Sequence, residues 1–304
     1  MEYHHNLSAR LFQPKTCVLV SIFANLALAA FKFFAGILGL SQAMVADALH
    51  SLSDILTSVV AYIGICIGER PPDEEHPYGH GNAETIAAGL VALAVLGIGF
   101  WAGVSAIHTL ILRQFRQPLG IAIVAALVSI LAKELLFRYT RRVGKISNNP
   151  AVEADAWHHR SDAYSSVAAL FGILGAKVSF LYLDPLAGVV VSCLILNIGL
   201  RLIRSNIGIM MDERPKPQLI HMISSLVQTV SGVQKIDSIK VHRRGSTFTI
   251  DIEVAVDSAI SVKQGHRISV SVRQALLKQI KQVRDVMVHL NPYDEKGAFD
   301  ARGN

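Results

Sequence analysis

The sequence predicts an α-helical membrane protein: a six-transmembrane-helix bundle followed by a C-terminal cytoplasmic α+β domain. Composition is the first observation behind this prediction. The 304 residues are 51% hydrophobic and only 17% charged, with a mean hydropathy of +0.40, which is too apolar for an ordinary soluble protein. The second observation is a change of character near residue 211, where long apolar runs give way to a mixed, soluble-type composition.

The apolar runs predict the membrane helices. Crossing a bilayer takes about 20 residues of helix, and six segments are long enough: 16–39, 43–68, 85–112, 118–137, 155–181 and 185–204. An even number of crossings places both termini on the same side. Lysine and arginine are in excess in the loops and ends on that side, so both termini are expected in the cytoplasm.

The segment after the last crossing predicts a separate domain. Asp212, Pro215 and Pro217 end the last membrane helix, so the domains are expected at 1–211 and 212–304. Helices are expected at 218–229 and 261–282, and strands at 236–243, 247–256 and 285–289. The second strand alternates, with one apolar face formed by Phe248, Ile250, Ile252, Val254 and Val256. This αββαβ order predicts a small open-faced sandwich of the ferredoxin-like or metallochaperone-like type.

The sequence does not indicate nucleic-acid binding, cysteine-based cross-links or metal sites, or a cleaved signal peptide. The net charge of +6 does not predict nucleic-acid binding, because the arginines lie mostly beside apolar runs instead of forming a basic stripe with aromatics. Cys17, Cys66 and Cys193 are far apart and lack CxxC spacing, which argues against a disulfide framework and a thiolate metal site. No small-residue cleavage site follows a short apolar stretch, so the first run is expected to remain in the mature protein.

Ionisable side chains in the second crossing point to an ion path. Asp47, His50 and Asp54 lie three and four residues apart and therefore share one helix face. Burying such groups in a membrane is costly, so they are expected to face the bundle interior.

The fifth crossing repeats this pattern. Asp162 lies four residues after His158 and three after His159, and spacing alone leaves the choice of histidine open. Two helices then each offer one imidazole and one carboxylate. Four such ligands suit a tetrahedral divalent ion, and nitrogen and oxygen donors without thiolate favour zinc, iron, cobalt or manganese over copper(I).

Several ordered motifs resemble the cation diffusion facilitator family of metal/proton antiporters: ADALHSLSD in the second helix, HPYGHG in the following loop, AWHHRSDA in the fifth helix and DPLAG opening the sixth. The resemblance covers nearly the whole chain and implies a homodimer. It also implies a transport site formed by His50, Asp54, His158 and Asp162, which selects His158 over His159. The two-His, two-Asp set is similar to the zinc-selective branch, and relatives that load iron into bacterial magnetosomes are similar too.

The loop after the second helix is a second candidate metal site by the same resemblance. Asp73, His76 and His80 match positions that form a looser site in zinc-transporting relatives. The alternative interpretation is a loop that only caps the third helix. Asn82 replaces a lysine that in some relatives pairs with an aspartate matching Asp212, so that ion pair cannot form here.

The C-terminal domain keeps only part of the ligand set seen in relatives. His266 and His289 match family positions, and Glu253 is expected at a third ligand position. Gln234 and Asn291 replace a histidine and an aspartate. The cytoplasmic site is therefore expected to be weak or absent.

Other polar residues are expected to have structural roles. Links between helices or to the cytoplasmic edge are expected of four residues: Asn25, Lys32, Lys133 and Glu134. Asp184, before Pro185, is expected to cap the sixth helix. His242 could add a ligand to the cytoplasmic site, although a histidine at the end of a strand is more often solvated.

The sequence therefore predicts a transporter that exports a divalent transition metal, zinc first, from the cytoplasm in exchange for protons. A histidine must be neutral to bind metal, so protons and metal compete for the same ligands. The expected partners are the transported Zn²⁺ (or Fe²⁺, Mn²⁺, Co²⁺), protons, the lipid bilayer of a bacterial inner membrane and a second copy of the chain, with no prosthetic group.

Two alternatives remain within this fold: an iron(II) or manganese transporter, including magnetosome-type iron loading, or a non-transporting metal-sensing scaffold. An enzyme is not expected. The chain has no HExxH sequence, no glutamate base beside the histidines and no nucleophile elbow.

Overall fold

The computed structural model describes residues 14–147, 150–245 and 247–293. Its first part contains six long helices: α1 (Pro14–Leu38), α2 (Gln42–Gly68), α3 (Asn82–Ile111), α4 (Gly120–Ile146), α5 (Pro150–Lys177) and α6 (Leu183–Met210). Five of the six are long and apolar enough to cross a membrane. The exception is α5, whose 28 residues are long enough but include several charged side chains in the first half. The predicted six-helix membrane domain is confirmed.

Two helices extend beyond the apolar runs that predicted them. α4 ends at Ile146, nine residues after the predicted end at 137, and α6 ends at Met210 and not at 204. Backbone hydrogen bonds hold a helix whether or not its side chains are apolar. Apolar patterning therefore predicts the membrane span and misses the polar turns that continue it.

Small side chains pack the interior of the bundle. One buried cluster consists almost entirely of alanine: Ala35, Ala43, Met44, Ala122, Ala125, Ala126, Ala169, Ile173 and Ala187. A Cβ atom added at Gly172 of α5 would collide with Ala187 of α6. Small residues allow membrane helices to approach closely, where van der Waals contact can hold them together.

Large apolar side chains lie on the outside of the bundle. Phe23 of α1, Phe100 of α3 and Phe171 of α5 are 69%, 66% and 70% exposed. An apolar surface of this kind is unfavourable in water and suits lipid, which also requires the backbone polar groups to be satisfied within helices. The protein is an integral membrane protein.

Asp184 lies in the first turn of α6 but binds the start of a different helix. Its carboxylate accepts hydrogen bonds from Ser41 Oγ at 2.5 Å and from the Gln42 amide at 2.7 Å. The expectation that Asp184 caps its own helix is wrong. The side chain reaches instead across the bundle to satisfy a free amide at the N-terminus of α2.

The C-terminal segment has the predicted αββαβ order: α7 (Pro217–Gln228), β1 (Lys235–Arg244), β2 (Thr247–Asp257), α8 (Val262–Gln279) and β3 (Val283–Tyr293). β2 is central in a three-stranded sheet. It pairs antiparallel with β1, with Val241 opposite Ile250, and parallel with β3, with Ile252 opposite Val288. The predicted α+β class is confirmed.

The alternation of β2 explains how the helices pack on the sheet. Ile250, Ile252 and Val254 are buried in one cluster with Val272 and Leu276 of α8. The intervening residues of β2 therefore point to the opposite face of the sheet. α8 begins at a capping box, in which Ser261 and Gln264 each satisfy a backbone amide of the other.

The chain divides into two compact units. One comprises the chain up to Val60 and Leu90–Ile203, and the other comprises Ala61–Gly89 and the chain from Arg204 onward. The loop after α2 and the adjoining helix ends thus belong to the same unit as the sheet. The domain boundary between residues 211 and 212 stays a prediction.

Candidate metal centre

Side chains from α2 and α5 converge inside the bundle. His50, Asp54 and Asp162 each offer one ligand atom, and these three atoms all lie within 4.8 Å of one another. Asp54 follows His50 by four residues, so both lie on one face of α2. His50 and Asp162 are buried and Asp54 is partly buried. Two elements distant in sequence thus build one compact group of nitrogen and oxygen donors.

His158 lies beside this group, whereas His159 points elsewhere. The His158 ring places Nδ1 3.7 Å from Asp162 Oδ1 and Nε2 4.0 Å from Asp54 Oδ2, and its side chain is 48% exposed. The His159 ring is fully buried, with Nε2 3.2 Å from Ser21 Oγ on α1. Its Nε2 also lies 3.5 Å from Asp155 Oδ2. Adjacent helix residues point about 100° apart, and here His158 is the one that lies beside Asp54 and Asp162.

Two potential metal-ligand atoms of this group have no hydrogen-bond partner among the described residues. Within the part of the chain that the structure describes, neither His50 Nδ1 nor Asp54 Oδ2 has a hydrogen-bond partner, although both atoms are buried. A buried polar atom without a partner costs about 1–3 kcal/mol. A divalent ion coordinated there would supply the missing interaction, and imidazole and carboxylate are suitable ligands for zinc, iron or manganese.

A buried lysine contacts one of these carboxylates. Lys133 of α4 places Nζ 2.6 Å from Asp162 Oδ2 and 2.9 Å from Asn25 Oδ1 of α1. The sequence predicts that Lys133 and Asn25 link helices, but its patterns do not indicate a contact with a candidate ligand. No spacing signal could reveal it, because Lys133 and Asp162 lie on different helices.

A second buried ion pair lies beside the group. Lys32 Nζ is 2.8 Å from Asp47 Oδ2 and also donates to Ser51 and Ser166, at 3.1 and 2.9 Å. Asp47 accepts further hydrogen bonds from Ser165 and Ser166, at 2.8 and 2.7 Å. Asp47 shares a helix face with His50 and Asp54, yet its oxygens are already bound by a lysine and two hydroxyls.

The loop after α2 brings its three predicted ligands together. Asp73, His76 and His80 each place one ligand atom within 4.8 Å of the others. Asp73 lies 3.2 Å from His76 Nδ1 and 3.3 Å from His80 Nε2. The backbone amide of His76 donates to Asp73 at 2.6 Å, and this bond is the main cause that lowers the pKa of the Asp73 carboxyl. His80 Nδ1 is buried without a partner among the described residues.

The three residues of the predicted cytoplasmic site do not meet in one chain. Glu253 of β2 lies opposite His289 of β3 in the parallel register, on the face of the sheet away from α8. His266 lies on α8 itself. Within the described ranges these residues form no group of three ligand atoms inside 4.8 Å. In one chain the sheet lies between His266 and the face that carries Glu253 and His289, and the site of Glu253, His266 and His289 stays a prediction.

Two family models match the chain. The cation efflux transmembrane domain matches residues 18–211, and the cation efflux protein cytoplasmic domain matches residues 215–293. The chain belongs to the cation diffusion facilitator family. It is accordingly a divalent metal cation efflux transporter.

Three relatives in the cation diffusion facilitator family have names that refer to different functions. The manganese efflux system protein MneP of Bacillus subtilis is 34% identical over 91% of this chain and 96% of its own length. The magnetosome protein MamB of Paramagnetospirillum magneticum is 31% identical over 88% of this chain and 91% of its own. Metal tolerance protein C1 of Arabidopsis thaliana is 33% identical over 88% of this chain and 60% of its own.

This cation diffusion facilitator also holds a histidine between two aspartates after α6. His242 of β1 places Nδ1 2.9 Å from Asp212 Oδ2 and Nε2 3.2 Å from Asp251 Oδ2. The hydrogen bond to Asp212 is the main cause that raises the pKa of His242. From the sequence, His242 is expected to be solvated or to add a ligand to the cytoplasmic site. Its ring nitrogens are instead both engaged by carboxylates.

Proposed function

We propose that this protein exports zinc from the cytoplasm in exchange for protons, through a transport site formed by His50, Asp54, His158 and Asp162. The observation that carries the proposal is the convergence of His50, Asp54 and Asp162 inside the bundle, with the His158 ring 3.7 Å from one carboxylate and 4.0 Å from the other. Two nitrogen and two oxygen donors suit the tetrahedral coordination of Zn²⁺.

Proton exchange follows from the chemistry of these ligands. An imidazole must be neutral and a carboxylate deprotonated before either can bind a metal ion. Protons and metal therefore compete for the same atoms. Protons arriving from the acidic side displace the ion there and return to the cytoplasm on the emptied ligands.

Manganese is the second candidate cargo. MneP, at 34% identity, is named a manganese efflux system protein, as is MneS of the same organism at 30%. Carboxylate ligands suit Mn²⁺ better than imidazole does. Replacing His50 by aspartate is therefore expected to shift selectivity from zinc towards manganese.

We infer a homodimer in a bacterial inner membrane with both termini in the cytoplasm, in which residues 1–211 carry transport and residues 212–304 contribute dimer contacts. The excess of lysine and arginine on the side of the termini supports the orientation. The match to a cation efflux cytoplasmic domain supports the role of the C-terminal residues.

Transport into proteoliposomes tests the cargo and the coupling. Uptake of Zn²⁺, Mn²⁺, Fe²⁺ and Co²⁺ is compared between wild type and His50→Asp, and then with the pH gradient collapsed at clamped voltage. Equal rates for all metals in both proteins would refute the selectivity argument. Uptake that ignores the pH gradient would refute proton exchange.

Adjacent histidines offer a matched pair of variants for the site itself. His158→Gln is expected to abolish transport, because it removes a ligand beside Asp54 and Asp162. His159→Gln changes the neighbouring residue, whose ring contacts Ser21 on α1, and is expected to retain transport. The reverse result would assign the ligand to His159.

A further inference from the structure

The ammonium group of a buried lysine, Lys133, contacts the proposed transport site. Lys133 Nζ is 2.6 Å from Asp162 Oδ2, and the two side chains are only 2% and 3% exposed. The other carboxylate oxygen, Oδ1, lies on the side of His158, 3.7 Å from its Nδ1. Asp162 therefore has one oxygen held by an ammonium group and one turned to the imidazole.

Lys133 is fixed in this position by a second helix. Asn25 Oδ1 of α1 accepts a hydrogen bond from Nζ at 2.9 Å. The carboxylates of metal ligands are commonly held by hydrogen-bond donors in the surrounding shell. A donor that carries a full charge also acts on the ion, because a divalent cation and an ammonium group repel each other strongly where water is scarce.

The net charge of the site with and without a bound ion indicates how Lys133 affects metal binding. With Asp54 and Asp162 ionised and both imidazoles neutral, the two carboxylates and Lys133 sum to −1 without metal and to +1 with a divalent ion bound. Without Lys133 the same sums are −2 and 0. A neutral bound state in a low-dielectric interior would favour retention of the ion, whereas a transport site must bind weakly enough to release it.

We propose that Lys133 limits the metal affinity of the transport site: its ammonium group, held between Asn25 and Asp162, keeps the binding weak enough for the ion to leave in every cycle. The proposal requires no change in the charge of Lys133. It rests on the proposed function in that it takes Asp162 as a metal ligand.

Removing the charge is the direct test. Lys133→Met removes the ammonium with little change in volume, and Lys133→Gln also keeps an N–H donor for Asp162. Zn²⁺ titrations of purified, folded protein in nanodiscs, at a pH well above the range of the carboxylates, are expected to give a Kd at least about tenfold lower in both variants. In proteoliposomes both KM and kcat for Zn²⁺ are expected to fall, since tighter binding slows release. A role in positioning alone predicts weaker binding for Lys133→Met.

Three further variants control for charge and for burial. Lys133→Arg keeps the positive charge and is expected to leave the Kd within about threefold of wild type. Lys32→Met removes the other buried lysine, whose partners are Asp47, Ser51 and Ser166, and is not expected to tighten zinc binding. The double variant Lys32→Met/Asp47→Leu serves the same purpose with the paired charge removed.

The outcomes separate this inference from the proposed function. If His50→Ala and Asp54→Asn abolish Zn²⁺ binding but Lys133→Met and Lys133→Gln leave the Kd unchanged or raise it, the site stands and the role of Lys133 is refuted. Tightening by Lys133→Arg equal to that by Lys133→Met would also refute it. If His50→Ala and Asp54→Asn leave zinc binding intact, the proposed site itself is wrong.

Discussion

The pair Lys32 and Asp47 supports a quantitative prediction about stability. Both side chains are completely buried, and their charged atoms are 2.8 Å apart. Lys32→Met removes this contact together with the hydrogen bonds from Nζ to Ser51 and Ser166. Asp47 then keeps two serine hydroxyls as its only partners among the described residues. Leaving one partner of a buried ion pair uncompensated costs about 3–5 kcal/mol.

The double variant Lys32→Met/Asp47→Leu isolates the source of that cost. Replacing both partners of a buried pair by apolar residues is often neutral or stabilising. Ser165 retains its bond to the Asp162 carbonyl at 2.8 Å, whereas Ser51 and Ser166 lose their bonds to Lys32 and Asp47, so the recovery is expected to be partial. The double variant is expected to recover at least about 2 kcal/mol of the loss caused by Lys32→Met alone.

Reversible unfolding by SDS in mixed micelles, followed by circular dichroism, measures these free energies. The double variant also separates Asp47 from the transport site, because it is expected to retain Zn²⁺ binding that Asp54→Asn abolishes. A double variant as unstable as the single one would show that the unpaired charge on Asp47 is not the cause. Loss of zinc binding in a folded double variant would show that Asp47 belongs to the site.

Three further predictions concern other parts of the molecule. Asp212 raises the pKa of His242 in the folded state, so the pair contributes its full stabilisation of the folded state below the unfolded pKa of about 6.5 and loses it as pH rises through the raised folded pKa. The difference in Tm between wild type and His242→Gln should therefore shrink with rising pH. A difference that stays constant would contradict this prediction. Gly172→Ala is expected to lower the free energy of unfolding by about 1–3 kcal/mol through overpacking. Gly97→Ala has nothing within 4 Å of the added Cβ and should be near neutral. Equal effects of the two variants in SDS unfolding would refute the packing argument. Asp73→Asn should remove one bound Zn²⁺ equivalent in calorimetry and leave binding at the transport site, so an unchanged stoichiometry would mean that the loop holds no ion.

Sequence patterning predicted the features that depend on local spacing. The i, i+4 pairs His50/Asp54 and His158/Asp162 fall on one helix face whatever the rest of the chain does. The alternation in β2 likewise predicted which side of the sheet is buried. Both conclusions require only the period of a regular element.

Features that depend on contacts between helices could not be predicted in this way. Lys133 and Asp162 are 29 residues apart and meet only because α4 packs on α5. Asp184 similarly reaches Ser41 and not the end of its own helix. The separation of His266 from Glu253 arises from the position of α8 on one face of the sheet. Each outcome depends on packing between elements, for which a single sequence has no periodic signal.

The two aspartates of α2 differ in the hydrogen bonds that packing gives to their carboxylates. Asp47 and Asp54 have the same side chain and lie on the same face of one helix. Asp47 Oδ1 accepts from Ser165, and its Oδ2 accepts from Ser166 and lies against Lys32. Asp54 Oδ2 is buried and has no hydrogen-bond partner in the described part of the chain. A carboxylate whose oxygens are already saturated would lose those bonds on binding an ion, whereas an unpartnered one gains an interaction that folding left unmade. Packing by the other helices therefore leaves Asp54, and not Asp47, with a buried oxygen that is free for the proposed metal ion.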